Sequence, residues 1–459
     1  MDRKSIIVVA LCFILIIAWQ PLIMPRLRPP VPVPVSANQA ANVTANTPAG
    51  ATNAAVAPSA GTNAPVPAGT AVTPAKFVVR PEIPEQLLVV TNENGRYIFT
   101  SRGGGLKEVE LTGYAEAVSS HRKKNRETNE FATLNSPAVP PVFAMVGDES
   151  LQGDGVFKLT QTANGVRAEK SLPNGLTVVK DFQLSTNFIV VASLKLENRS
   201  QQPVTIPSYQ WVAGTATPMG PQDTGLAESV LWFNGSKAET VSLQYFNTNT
   251  SSWFGLRSRV PETEYLAGSN NVYWSSAQNQ FFTLAAMPDK PASAIVVHMV
   301  DLPPPTPEEL KDYPNARRDP KGLEAGLVYP AAELKPGATL TNQFNLFAGP
   351  KEYQTLARLA SRFNNEIDQV MGFGWSGPIS KALLVTMNWF HMALGLPYGW
   401  VIIIITLLIK LVFWPLTQAS TRSAKRMQAL QPQLKALQEK YKDEPQKFTA
   451  KQWEFYKKN

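Results

Sequence analysis

The stretch YGWVIIIITLLIKLVFWPL, residues 398–416, carries one charge, Lys410, in 19 residues. At 1.5 Å per residue a helix of this length crosses the ~30 Å hydrocarbon core of a bilayer. Tyr398, Trp400 and Trp414 stand near its two ends, where amphipathic rings favour the headgroup boundary. Arg422, Lys425 and Arg426 follow closely, so the excess of positive charge places the C-terminal side in the cytoplasm. From residue 418 to 459 there are ten Lys/Arg against four Asp/Glu, which accounts for six of the chain's net charge of +8.

Lys410 lies six residues before Leu416, about 9 Å from the cytoplasmic end at helical rise. A lysine at that depth costs about 2.5–3.5 kcal/mol on insertion scales unless it reaches water or a partner. Snorkelling of the long stem to the headgroups explains a lone lysine. Here Gly399, Thr406, Lys410, Thr417 and Thr421 recur at spacings of seven, four, seven and four, a polar stripe along one side of the helix. The stripe favours a hydrated groove.

A second uncharged run, IIVVALCFILIIAWQPLIM at residues 6–24, follows Asp2-Arg3-Lys4. The small-residue step Val35-Ser36-Ala37 lies more than ten residues beyond it, and the run is long for a signal h-region, so it reads as an uncleaved anchor. Two crossings return both termini to the cytoplasm, and everything between them is outside. Residues 1–28 then form the N-terminal end and first span, and residues 29–75 a tether. That tether has no Asp, Glu, Lys or Arg and is built from Pro, Ala, Val, Asn, Thr, Ser and Gly.

Residues 76–350 alternate short apolar runs with turn residues. Strands are expected at 87–90, 97–99, 177–184, 188–196, 281–287, 295–300 and 338–347. Asn92–Gly95, Asn164-Gly165 and Asn174-Gly175 supply hairpin turns. Many strands without intervening helices predict a β-sandwich. Its single-cysteine chain (Cys12 alone) allows no internal disulfide, so the exported domain is held by its core. Residues 351–372 read as a helix packed on the sandwich, with Tyr353, Leu356, Ala357, Ala360, Phe363 and Ile367 on one face. Residues 375–396 read as an amphipathic helix (Ile379, Leu383, Met387, Phe390, Leu394) suited to the outer interface. His391 reads there as a polar contact. After the span at 398–417, residues 418–459 carry Met427, Leu430, Leu434, Leu437 and Tyr441 at coiled-coil spacing. Asp443-Glu444-Pro445 ends that seam and begins a basic antiparallel helical hairpin, a surface for anionic lipid, ribosomal RNA or another acidic partner.

Chemistry is sparse. His121, His298 and His391 form no HExxH or Cys/His pattern, and no phosphate loop is present, so no metal, cofactor or nucleotide is expected. Glu108, Glu110, Asp181, Glu262, Glu264 and Asp301 would make a sugar-active enzyme only if two faced each other across a cleft. Solvated surface is the simpler reading, and no enzyme is expected.

Several motifs coincide with a known family. Ile402–Thr406, Ile409-Lys410, Trp414-Pro415-Leu416-Thr417, Met427, Leu430-Gln431-Pro432 and Tyr441-Lys442-Asp443 resemble the second membrane segment and first cytoplasmic loop of the YidC/Oxa membrane-protein insertases. Ser101-Arg102-Gly103-Gly104-Gly105, Phe347-Ala348-Gly349-Pro350-Lys351 and Gly374-Trp375 are similar to landmarks of the Gram-negative members. The resemblance implies an all-β supersandwich periplasmic domain related to sugar-binding folds, and an inner-membrane insertase working without nucleotide or metal. It also implies a hydrated groove holding a positive charge, with Lys410, Thr406 and Thr417 as groove residues; the family usually has arginine where Lys410 stands. Nascent membrane proteins, the Sec translocon, the ribosome, signal-recognition machinery and the phospholipid bilayer are the implied partners. Arg422, Lys425, Arg426, Lys435, Lys440 and Lys442 would form the cytoplasmic contact surface. The family continues past the hairpin with further spans, so a chain ending at Lys457-Lys458-Asn459 is expected to be a fragment unable to insert proteins alone. The alternative reading is a membrane-anchored periplasmic binding module for carbohydrate or peptide.

Overall fold

The computed structural model describes residues 77, 80, 82–115, 131–138, 140–220, 223, 225–246, 262–441, 448–449 and 451–454. The first apolar run and the tether lie outside the described residues. The described residues divide into two compact units, one within Ala49–Met371 and the other within Gly372–Asn459.

In the first unit the described strands pair antiparallel throughout. A nine-stranded sheet runs, from one edge to the other, through Ala238–Ser242, Ser229–Phe233, Trp274–Gln278, Phe282–Pro288, Thr339–Pro350, Ile189–Asn198, Leu176–Leu184, Gly165–Ser171 and Lys158–Thr162. A five-stranded sheet orders Glu264–Ala267, Ala294–Asp301, Lys321–Tyr329, Tyr209–Ala216 and Met145–Gly147. The two share one core, in which Trp211, Ile295, Val297, Leu323 and Leu327 meet Leu284, Val190, Leu194, Phe344 and Leu346. A four-stranded sheet (Leu87–Thr91, Arg96–Thr100, Gly105–Ala115, Phe131–Leu134) adds Tyr97, Phe99, Leu106 and Val109 to it.

All seven strands expected from alternation are present, within a few residues of their expected ends. Others were not anticipated. Every residue of Tyr209–Ala216, Ser229–Phe233 and Trp274–Gln278 is buried, because both faces of these strands are covered and no apolar/polar alternation marks them. The helix expected over 351–372 is shorter: Tyr353–Phe363 ends at Asn364 in a left-handed conformation, and a 3-10 turn, Ile367–Met371, completes the segment. Leu356, Leu359, Ile367 and Val370 cover Leu231, Phe233, Trp274 and Phe347 on the outer side of the large sheet. Trp274 Nε1 donates to the Asn365 carbonyl at 2.8 Å, which secures the joint.

Among the described residues of this unit three acidic or basic side chains are buried, Lys170, Lys180 and Glu228, the last two almost completely. Lys180 shares the inward face of its strand with Val178 and Phe182 and is 0% exposed. Its ammonium donates to the carbonyls of Gly103 (2.6 Å) and Phe143 (2.8 Å), and lies 4.4 Å from the Phe157 ring centre and 5.2 Å from that of Trp211. Burial and the neighbouring charge of Lys170 hold its pKa well below the usual lysine value. Gly103 and Gly104 take positive φ, and a methyl on Gly104 would stand 2.4 Å from Phe157 Cγ. The glycine run thus lets the backbone close on the ammonium. Glu228 is 1% exposed and, among the described residues, neither carboxylate oxygen has a hydrogen-bond partner. Burial and the charge of Asp223 push it up to about 8, against the opposing field of Arg317.

Lys180→Met keeps the stem but leaves two buried carbonyls without a donor, at about 1–3 kcal/mol each. Urea unfolding followed by tryptophan fluorescence should show a loss of about 3 kcal/mol; an unchanged midpoint would mean that those carbonyls find other donors.

Glu228 titrates near 4.5 in an unfolded chain and near 8 when folded, so its contribution to stability is complete below pH 4.5 and is lost as pH rises through about 8. Thermal unfolding midpoints should therefore fall from pH 6 to pH 9, and Glu228→Gln should flatten that fall.

Candidate functional site

The second unit contributes two helices, Gly377–Leu394 and Tyr398–Lys440. Gly395 in the left-handed region and Pro397 at the next N-cap turn the chain between them. His391 Nδ1 lies 2.6 Å from the Leu396 carbonyl, and its ring stacks on Tyr398 at 4.1 Å between centres. Tyr398 in turn donates to Asn388 Oδ1 at 3.4 Å. His391 is therefore the polar clasp of this corner. Ile379, Leu383, Trp389, Met392 and Leu394 are exposed on the shorter helix.

Among the described residues, one helix is long and apolar enough to cross a membrane, and it is the longer of these two. It continues without interruption over 43 residues, through Pro415 and Pro432, where separate elements over 398–417 and from 418 onward were expected. The reason is local. Between Thr417 and Lys440 nearly every residue is a competent helix former, and Pro432 alone interrupts the sequence without ending the helix. What changes near Thr417 is composition, from apolar to basic, and the backbone is indifferent to that.

Helical periodicity brings Thr406, Lys410, Thr417 and Thr421 onto one side. All four are exposed. Thr406 donates to the Ile402 carbonyl (2.7 Å), Thr417 to that of Phe413 (2.9 Å) and Thr421 to that of Thr417 (2.8 Å). The hydroxyl protons are thus used within the helix, and the lone pairs left on the oxygens make the stripe a row of acceptors beside one cation. Among the described residues no carboxylate forms an ion pair with Lys410. Arg422, Lys425 and Arg426 are exposed farther along the same helix. Lys435 and Lys440 belong to it by backbone, while Lys442 lies outside the described residues. Leu430, Leu434, Leu437 and Tyr441 are half-buried and Met427 is exposed. Residues 451–454 form a further helical turn.

The scattered carboxylates of the β unit have other occupations. Glu110 pairs with Arg96 at 2.8 Å, Asp181 with Lys195 at 3.2 Å and Arg167 at 3.5 Å, Asp301 with Lys321, and Glu262 accepts from Tyr245. Glu264 stands 4.0 Å from His298 Nδ1. Trp274, at 0% exposure, is a core residue. Lys180 and Glu228 drew no attention in the sequence, since neither spacing nor composition distinguishes them from surface charges.

Residues 88–386 match the family profile described as YidC periplasmic domain, and residues 389–459 match the one described as 60Kd inner membrane protein. The chain belongs to the YidC family. Its β unit is therefore the YidC periplasmic domain, and the protein is of the inner-membrane type. The membrane protein insertase YidC of Cupriavidus necator is 28% identical over 405 residues, a match covering 86% of this chain and 65% of that protein. Its namesake from Chlorobaculum tepidum is 34% identical over 193 residues, covering 41% of this chain and 29% of that protein. The match to the Burkholderia multivorans relative, at 27% identity, covers 68% of this chain and 49% of that protein. The chain thus spans less than two thirds of the length of these YidC relatives. Among solved structures, a galactose mutarotase related enzyme from Lactobacillus acidophilus aligns with 57% of this chain and 97% of its own, at 10% identity and a TM-score of 0.35, too distant to bear on function.

Proposed function

We propose that this YidC-family chain serves membrane-protein insertion, lowering the barrier for newly made segments to enter the bilayer. The observation that carries the reading is Lys410, the single cation in the apolar half of the long helix, set in a stripe of hydroxyl acceptors. In lipid, an ammonium at that depth requires water or a counter-charge. A hydrated slot would offer both to the polar or acidic part of a passing segment while its apolar part meets lipid. No nucleotide is needed for such partitioning. The basic surface from Arg422 onward would receive the ribosome, signal-recognition machinery or anionic lipid, and cooperation with the Sec translocon follows the same reading. In this arrangement residues 6–24 are the first span, both ends of the chain are cytoplasmic, and residues 418–459 form a basic hairpin. The relatives named insertases support the reading by family membership.

In a version extended to the length of its relatives, Lys410→Ala should reduce insertion of substrates with acidic exported ends about tenfold, equivalent to about 1.4 kcal/mol. Lys410→Arg should retain activity. Protease protection of the exported end reads both, and equal insertion by the alanine and arginine variants would remove the charge from the mechanism.

Deletion of residues 76–349 separates this proposal from a binding module anchored by its helices. Insertion should survive the deletion; its abolition, with the membrane segments still correctly integrated, would transfer the function to the β unit.

A further inference from the structure

The strand Leu87–Thr91 is one edge of the four-stranded sheet and pairs with Arg96–Thr100 alone. Ser101 N donates to the Gln86 carbonyl at 2.9 Å and Asn92 N to that of Gly95 at 3.0 Å, so these two bonds bracket the strand. By the alternation of an antiparallel ladder, Leu88 and Val90 are then the residues bonded to Arg96–Thr100. The N–H and C=O groups of Leu87, Val89 and Thr91 turn to the open side. Among the described residues, none of those six groups has a hydrogen-bond partner.

Other edges of the three larger sheets are blunted. Lys158 lies on one edge of the nine-stranded sheet, Glu239 on the other, and Glu264 on an edge of the five-stranded sheet, where charge discourages pairing. The remaining edges, Met145–Gly147 and Phe131–Leu134, are three and four residues long. Leu87–Thr91, with the sequence LLVVT, holds no charge, no proline and no bulge. Leu87 and Val89 are 53% and 44% exposed on one side, while Leu88 and Val90 on the other are half-buried against the core. A strand laid along this edge would meet apolar side chains on both of its alternating faces.

Charge selects the occupant. Beyond the two ends of the strand stand Glu82 and Glu93, both exposed and, among the described residues, without an ion pair. The bases nearby are already matched: Lys107 pairs with Glu85 at 3.0 Å and Arg96 with Glu110 at 2.8 Å, while Arg80 acts on Asp154. A second copy of this chain fits poorly. An antiparallel pair centred on Val89 is the register that matches all three open residues, and it sets Glu93 of each copy opposite Glu85 of the other. An apolar segment with basic ends meets unpaired carboxylates instead.

We propose that this edge takes up an extended polypeptide segment as an added strand, apolar in its middle and basic at its ends, bound through the open backbone groups of Leu87, Val89 and Thr91. The edge belongs to the β unit and acts without Lys410, so this role and the insertion role can each fail alone.

The test is fluorescence anisotropy of a labelled peptide, Lys-Lys-Val-Thr-Val-Ile-Val-Lys-Lys, titrated with the full chain in phosphatidylcholine nanodiscs; empty nanodiscs give the lipid background. A copy N-methylated at its five central residues keeps the side chains but cannot donate from either edge, and a second copy carries glutamate in place of lysine. Saturable binding of the parent peptide is expected, at least tenfold weaker for either copy. Amide hydrogen exchange at Leu87, Val89 and Thr91 should be fast in the chain alone and slow at least tenfold in the complex. Val89→Pro removes one open donor without touching a ladder bond and should weaken binding at least tenfold, as should Val89→Lys. Equal binding of the methylated or the glutamate copy, or unchanged exchange at the three amides, would overturn the proposal even if Val89→Pro failed to fold. So would protection of the same amides in the chain alone; protection that grew with concentration would assign the edge to a second copy.

Discussion

In the β unit the fully buried ammonium of Lys180 is held between two backbone carbonyls and two aromatic rings. A lysine placed there must recover several kcal/mol of lost hydration. It does so only if the Gly103 and Phe143 carbonyls converge on it, which requires positive φ at Gly103, Gly104 and Phe143. The Ser101–Gly105 segment leads from the small sheet into its third strand, and the neighbouring Pro141–Met145 segment reaches the edge of the five-stranded sheet. One side chain from the nine-stranded sheet therefore ties together loops belonging to the other two. Glycines that read in the sequence as a family landmark here acquire a physical reason: larger residues at Gly104 or Gly105 would meet Phe157 or the Val142 carbonyl.

The helical unit obeys a different economy. Its long helix passes from apolar to basic composition without a break, so a half apolar enough to cross a membrane and a basic half share one backbone rod. A rod of that kind fixes the angular relation between Lys410 in the apolar half and Arg422, Lys425 and Arg426 in the basic half. Threonine hydroxyls bonded back to their own helix keep their part of the polar stripe compatible with lipid, because each of these hydroxyl protons has an acceptor. In the proposed mechanism, the same economy leaves Lys410 as the strongest field on that side.

Legibility followed the physics of burial. Strands with one covered face, such as Thr339–Pro350 with Phe344 and Leu346 inward and Thr341 and Gln343 outward, announce themselves by alternation. Tyr209–Ala216 and Trp274–Gln278, covered on both faces, carry no such signature, and the packed helix was overextended because apolar spacing persists into Ile367. Lys410 stood out since a charge inside an apolar run is conspicuous in one dimension. The open edge of Leu87–Thr91 did not, because a strand's alternation is the same whichever of its sides is paired.

By itself, then, the amino-acid order determined whatever depends on near neighbours: the apolar span, its charge and its stripe, the β character of residues 76–350, and the family motifs. These are written in hydropathy and period, which a linear reading measures directly. Only the tertiary structure decided which strands are covered twice, why Lys180 is inside, and that Glu228 has no partner among the described residues. Desolvation and hydrogen-bond satisfaction are set by groups that meet across sheets, and no local pattern records who those neighbours will be.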